Sequence, residues 1–297
     1  MSTTDDIRTR LAQRLPDATT YYSAVLEFTT QTAPHEIAFE SFGSELVVCA
    51  SSAEILARIK SLLPPGWRPC KQTLTQLRLG IVTENDGTHS IYQGSTRVSE
   101  GQGLELSLMV LDSRLRGYVA LNATGRTFVH AGAVGHEGLA IVIPGHSFAG
   151  KTTLVAALVR AGATYYSDEF AVFDDDGMVY PYAKPLSIRP GPNTPQVETD
   201  VGQLGGRTGK TALPLALAVF THYRPGCDWQ PKRISSGQAA LALLGHTVSV
   251  RSRPDSALRA ISRALDNAVA LDGDRGEADE VAHRLLETAQ SAGAQMP

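Results

Sequence analysis

Gly145, Gly150, Lys151 and Thr152 fall in the spacing G-x-x-x-x-G-K-[ST] within the stretch LAIVIPGHSFAGKTTLVAALVRAG. That spacing signals phosphate binding only between an apolar strand and a helix. Both flanks are legible. LAIVI has the length of a buried strand, KTTLVAALVR turns Leu154, Val155 and Leu158 to one helical face, and Gly162 stops the helix. Gly145, His146, Ser147, Phe148, Ala149, Gly150, Lys151, Thr152 and Thr153 would then surround a polyphosphate with backbone N–H groups and a helix N-terminus. Lys151 would neutralise phosphate oxygens and Thr152 would ligate Mg²⁺. The expected cofactors are ATP and Mg²⁺.

An acidic pair follows after only one short helix. ATYYSDEF reads as a strand ending in a corner at Asp168 and Glu169. In an open α/β arrangement the end of that strand lies beside the phosphate loop. Mg²⁺ needs a carboxylate, and an attacking hydroxyl needs a base. Asp168 is the first choice for the metal and Glu169 for the base. The reverse order stays open, as does an ordinary polar corner. The run Asp174–Asp176 ends in DDDG and reads as a hairpin turn.

Candidate cations lie further on. Lys184 and Arg189 flank the strand PLSI, and one of them is expected to point at nucleotide or substrate. His222 and Arg224 follow the apolar strand LALAVF, where strand ends near a phosphate site carry such groups. A second Gly-Lys-Thr, Gly209–Thr211, has Leu204 where the first glycine belongs, no apolar strand ahead of it, and Pro214 soon after. It is a decoy, either a solvated loop or one that lends Arg207 or Lys210 to the site.

Other segments must position these groups. HEIAFESFG, SELVVCAS, QLRLGIVT and SIYQG read as strands, as does SAVLEFTT near the start. SAEILARIKSLL reads as a helix capped by Ser51 or Ser52, and MSTTDDIRTRLAQRL as one capped by Thr3 or Thr4. GQGLELSLMVLDSRLRGYVALN is a longer helix. TFVHAGAV and LAIVIPG form a hairpin about GHEG that feeds the phosphate loop. SALRAISRALDNAVAL and EADEVAHRLLETAQ read as amphipathic helices whose alanines suit close packing or a subunit contact in a homo-oligomer. The division is placed at Gly101–Gly103, giving an α+β accessory domain over 1–102 and the main domain over 103–297.

At 297 residues and 42% hydrophobic content, the chain can bury a sizeable core. A net charge of −3 gives no bulk attraction for nucleic acid or an anionic membrane. No apolar run reaches the roughly 20 residues of a membrane span, and the start lacks a signal peptide's apolar core. Cys49, Cys70 and Cys227 are odd in number and outside metal spacing, as expected of reduced thiols in a cytoplasmic protein.

FVHAGAV, PGHSFAGKTTLVAALVRAGATYYSDE and KPLSIRPG resemble HPr kinase/phosphorylase and its related kinases, a group sharing its core with phosphoenolpyruvate carboxykinase. LALAVFTHYRPG and ISSGQAALALLGHT are similar to that group's distant members. The resemblance covers roughly the second half of the chain. It implies an α/β (α+β) fold with a phosphate-loop core of mixed β-sheet and flanking helices; the smaller N-terminal α+β domain is read from the strands and helix of the first hundred residues, which do not resemble that group's own N-terminal domain. It also implies that His130, Asp168 and Glu169 flank a transferred phosphoryl group. The chain carries His146, Phe148 and Ala149 where HPr kinase has Asp and glycines, and an Asp-Glu pair instead of Asp-Asp. The resemblance therefore supports a kinase core, and these departures leave HPr unsupported as its substrate. The expectation is an ATP-dependent kinase acting on a hydroxyl of a small molecule or a serine-type peptide. The alternatives are a natural-product peptide tailoring kinase and an ATP-sensing regulator that transfers nothing.

Overall fold

The computed structural model describes residues 31–71, 76–146, 149–189, 194 and 196–295. The expected N-terminal helix and the SAVLEFTT strand lie outside these residues, as do Ser147 and Phe148. The chain divides into two compact units, one ending at Val119 and the other beginning at Ala120. Both combine strands and helices, in keeping with an α+β class. No described helix is long and apolar enough to cross a membrane.

The first unit holds strands β1 (His35–Ser41), β2 (Ser44–Ala50), β3 (Arg68–Pro69), β4 (Leu77–Thr83), β5 (His89–Gln93) and β6 (Thr96–Gln102), in the order β3-β1-β2-β4-β5-β6. Only β2 and β4 pair in parallel. Helix α1 (Ala53–Ser61) joins them by way of β3, and the Ser52 hydroxyl accepts from Ile55 N at its start. Phe39, Leu46, Val48, Ile59, Leu79 and Ile91 are sealed between helix and sheet. Strand β6 was not legible in the sequence, because TRVSEGQ is polar and nearly every position of this edge strand is at least partly open. Burial pushes the Cys49 thiol up to about 12, as suits an inert core thiol.

Helix α2 (Leu104–Asn122) buries Leu108, Leu111, Leu115 and Val119. The Ser44 hydroxyl donates to Val119 O at 3.4 Å, tying the helix to the first unit. The division therefore falls inside α2, whereas Gly101–Gly103 lie ahead of it.

The second unit is built on β7 (Thr127–His136), β8 (Leu139–Pro144), β9 (Thr164–Ser167), β10 (Phe170–Phe173), β11 (Val179–Tyr180), β14 (Leu215–Tyr223), β15 (Lys232–Arg233) and β16 (Val269–Arg275). The small pair β12 (Leu186–Ile188) and β13 (Val197–Thr199) stands apart. The main order is β11-β10-β7-β8-β14-β16-β15, with β9 pairing β7. Strands β8, β14 and β16 run parallel, and β7 is antiparallel to β8. Alternation along the strands sends Ile141, Ile143, Leu217, Val219 and Leu271 into a core with α3 (Lys151–Arg160) and α6 (Ala278–Gly293). Ala140, Val142, Ala218 and Ala270 face a second core with α4 (Ser236–Gly245) and α5 (Pro254–Leu265). Helices thus cover both faces, which is why the parallel strands read as continuous apolar runs.

One expected helix is corrected. SALRAISRALDNAVAL is helical only through Leu265, and from Val269 the chain is strand β16, paired in parallel with β14. A short buried apolar run carries no periodicity that separates strand from helix.

The hairpin turn after β10 docks on α5. Gly177 there has φ +82°, and an added Cβ would lie 2.7 Å from Ala264 Cα. Gly177→Ala combines left-handed strain with a backbone clash and is expected to cost about 2–4 kcal/mol. Equilibrium unfolding checks this, and an unchanged midpoint would refute the close approach.

Candidate functional site

Strand β8 ends at Pro144, and the glycine loop delivers the chain into α3 at Lys151. Gly150 is the N-cap residue, with φ 78° and no side-chain cap. The first N–H groups of a helix have no partner inside it, so this uncapped end exposes donors and a partial positive charge. The Lys151 Nζ folds back on the loop and donates to the carbonyls of Gly145 and His146, each at 2.8 Å. Burial holds the Lys151 pKa down, opposed by Asp168 and then Glu169. Thr153 is exposed on the first turn of α3.

Asp168 and Glu169 sit in the break between β9 and β10, both of which pair with β7. The Ser167 hydroxyl accepts from Glu169 N and Phe170 N and shapes this corner. Asp168 is buried at 7% exposure and held on three sides. Its Oδ2 accepts from Ser187 N at 3.1 Å and from the Thr152 hydroxyl at 3.3 Å, and its Oδ1 from the Tyr165 hydroxyl at 3.1 Å. Burial raises the Asp168 pKa against these donors and Lys184, while Glu169 raises it further. Glu169 is more open, and its Oε2 lies 3.6 Å from Lys184 Nζ.

His130 is no core residue. It is the one exposed position in the interior of β7, between buried Val129 and Ala131. It lies opposite the glycine loop, since Gly145 N donates to His130 O at 3.2 Å. Its ring rests on Phe170 with centroids 4.7 Å apart. This partial desolvation lowers its pKa, Glu169 opposes the shift, and Lys151 and His146 add to it.

The structure thus brings together the described loop residues, Thr152, His130, Asp168, Glu169 and Lys184. His222 and Arg224 lie exposed at the end of β14, and among the described residues neither hydrogen-bonds to the glycine loop. Arg224 instead pairs with Asp274 at 3.1 Å. Arg189 is exposed just past β12. Of the two readings of the Gly209–Thr211 loop, the solvated one holds over the one that lends Arg207 or Lys210 to the site, both cations being exposed. The segment around Thr208 pairs with Tyr165 in β9, toward the end of the sheet away from Asp168. There the two cations line a cavity of about 370 Å³ with the hairpin turn His136–Gly138.

Three contributors were missed. His246 caps the C-terminus of α4, its ring 4.5 Å from that of His146, and His130 N donates to its carbonyl at 2.8 Å. Burial lowers its pKa, and His146, Lys151 and His130 add to the shift. Tyr165 braces Asp168, and Arg275 reaches Gly150. Only the dipeptide Gly245-His246 after an apolar helix marked the first in the sequence, and nothing marked the other two.

Among the described residues no cluster of three or more His, Cys, Asp or Glu forms a metal cage. Mg²⁺ does not require one, since it binds through one or two protein ligands, substrate phosphates and water. The adjacent Thr152 hydroxyl and Asp168 carboxylate, beside an uncapped helix end and a lysine, fit that demand.

No family model matches the chain, and no curated protein is similar to it. Among solved structures, the Hpr(Ser) kinase/phosphatase from Coxiella burnetii is similar at 12% identity over 57% of this chain and 97% of that one, with a TM-score of 0.32.

Proposed function

We propose that this protein is an ATP-dependent phosphotransferase of the cytoplasm, with a hydroxyl on a small molecule or a peptide as acceptor. The observation that carries this reading is the meeting of Thr152 and Asp168 at the uncapped start of α3, directly after the loop that Lys151 closes. Magnesium-bound ATP supplies a γ-phosphoryl with part of its charge already neutralised. Lys151 exchanges its two loop carbonyls for phosphate oxygens. Thr152 and Asp168 are the residues that would hold Mg²⁺. Glu169 accepts the proton of the attacking hydroxyl as the acceptor oxygen bonds to phosphorus. The bond to the departing oxygen breaks, and its electron pair stays with ADP. Lys184 orients the Glu169 carboxylate, and His130, kept largely neutral, fixes the geometry beside it. Little covalent help is needed, so positioning and charge compensation carry the rate.

The test is mass spectrometry of a metabolite and peptide pool incubated with the protein, ATP and Mg²⁺. A gain of about 80 Da on one component, the mass of a phosphoryl group, identifies the acceptor. ATP binding with neither transfer nor hydrolysis would favour a sensor instead. His130→Ala is expected to lower kcat by about tenfold to a hundredfold while ATP affinity stays within about threefold. Steady-state kinetics with calorimetry would reject the role if turnover per folded molecule were unchanged.

A further inference from the structure

Arg275 ends β16 at 2% exposure, among the largest fully buried side chains. Its Nη1 donates to Gly276 O at 3.0 Å and its Nη2 to Gly150 O at 3.1 Å, while Nε has no partner. No carboxylate among the described residues forms an ion pair with it. Glu277 exerts an attraction but accepts the Tyr223 hydroxyl at 2.7 Å, and Asp274 is taken by Arg224. The guanidinium carbon lies 5.4 Å from the Tyr223 ring centroid. A guanidinium stays charged in proteins, and a buried charge attracted by Glu277 without a direct ion pair is unfavourable.

The partner it selects is informative. Gly150 O accepts from both Arg275 and Leu154 N, the latter at 3.1 Å. The peptide joining Gly150 to Lys151 is planar and trans, so its C=O and N–H point in opposite directions. Holding the carbonyl toward Arg275 turns the Lys151 N–H the other way, out of the start of α3. Gly150 takes φ 78°, where an L side chain is strained, and a Cβ there would also stand 2.7 Å from Nη2.

We propose that Arg275 is a positioning residue for polyphosphate capture, holding the Gly150–Lys151 peptide with its N–H toward the anion while the bound phosphate offsets its buried charge. This rests on the phosphoryl-transfer reading of the same loop. It assigns work to a residue 125 positions from its contact in sequence. Arg275 meets no reacting atom and acts through the backbone and its field.

The test uses the full chain with Arg275→Met and Arg275→Lys, read by ligand-free thermal unfolding and by calorimetric titration with ATP and with inorganic pyrophosphate. Arg275→Met is expected to leave the ligand-free midpoint unchanged or raised, because a buried charge without a direct ion pair is gone. Its dissociation constants for both ligands should rise about tenfold or more, with Arg275→Lys falling between. A purely structural arginine would do the opposite, so a lowered midpoint with wild-type affinity overturns the proposal. If Arg275→Met does not fold, Arg275→Lys carries the test, and wild-type affinity there overturns it equally. A wild-type protein that binds neither ligand would refute the phosphate-loop reading itself.

Discussion

Asp168→Asn is expected to lower kcat by about 10²–10⁴ while leaving the ligand-free protein as stable as wild type or more so. The loss follows from replacing a metal-binding carboxylate by an amide at the Thr152 contact. The unchanged fold follows from the hydrogen bonds. An Asn oxygen in the Oδ2 place still accepts from Ser187 N and Thr152. The amide nitrogen then faces Tyr165, whose hydroxyl can accept from it and donate to Lys184 O at 2.8 Å. The direction of the stability change comes from burial, which raises the carboxyl pKa above the ordinary value of 3.8. A raised carboxyl favours the fold only while protonated, so its contribution is lost as pH climbs through the folded pKa. At neutral pH the buried carboxylate is a net penalty in the ligand-free protein, and the amide removes it. Thermal unfolding at pH 7 beside steady-state kinetics separates the two effects. Full activity in Asp168→Asn would remove this residue from the mechanism.

Lys151→Ala is expected to weaken ATP binding by about 10²–10³-fold. In the ligand-free protein its ammonium satisfies Gly145 O and His146 O, so it spans the loop at the place a phosphate would occupy. Charge-assisted hydrogen bonds contribute about 1.5–3 kcal/mol each, and two of them near the lower end of that span account for about 10²–10³-fold. His146 is exposed and Gly145 borders the space the side chain vacates, so water can reach both carbonyls and the unfolding midpoint should move little. Calorimetry on the folded variant decides the matter, and wild-type affinity would overturn the assignment of the loop.

The local parts of this site were legible because their causes are local. A strand, a tight glycine turn and an amphipathic helix each leave a signature within a few residues, and LAIVIPGHSFAGKTTLVAALVR carries all three. Gly150 takes φ 78° where a glycine was called for, and Ser52 caps α1 through a short-range contact. The corner at Asp168 and Glu169 follows a strand end visible as TYYS. His130 was legible only as a histidine on a strand. Its exposure between two fully buried neighbours is a tertiary fact.

What lay beyond the sequence was the lateral order of the strands. Pairing β8 with β14 and β14 with β16 places Arg275 against Gly150, and the β7–β10 pairing sets His130 beside Phe170. The same order sends Arg207 and Lys210 toward the far end of the sheet, although Gly-Lys-Thr recurs there. Hydrogen bonds between distant strands leave no periodic mark on either partner, and a strand buried on both faces has the composition of a buried helix. The sequence therefore marked the residues here proposed to hold a phosphate and a metal. Which distant charges brace them was decided by packing, because a buried cation settles only where strand order brings it a backbone carbonyl.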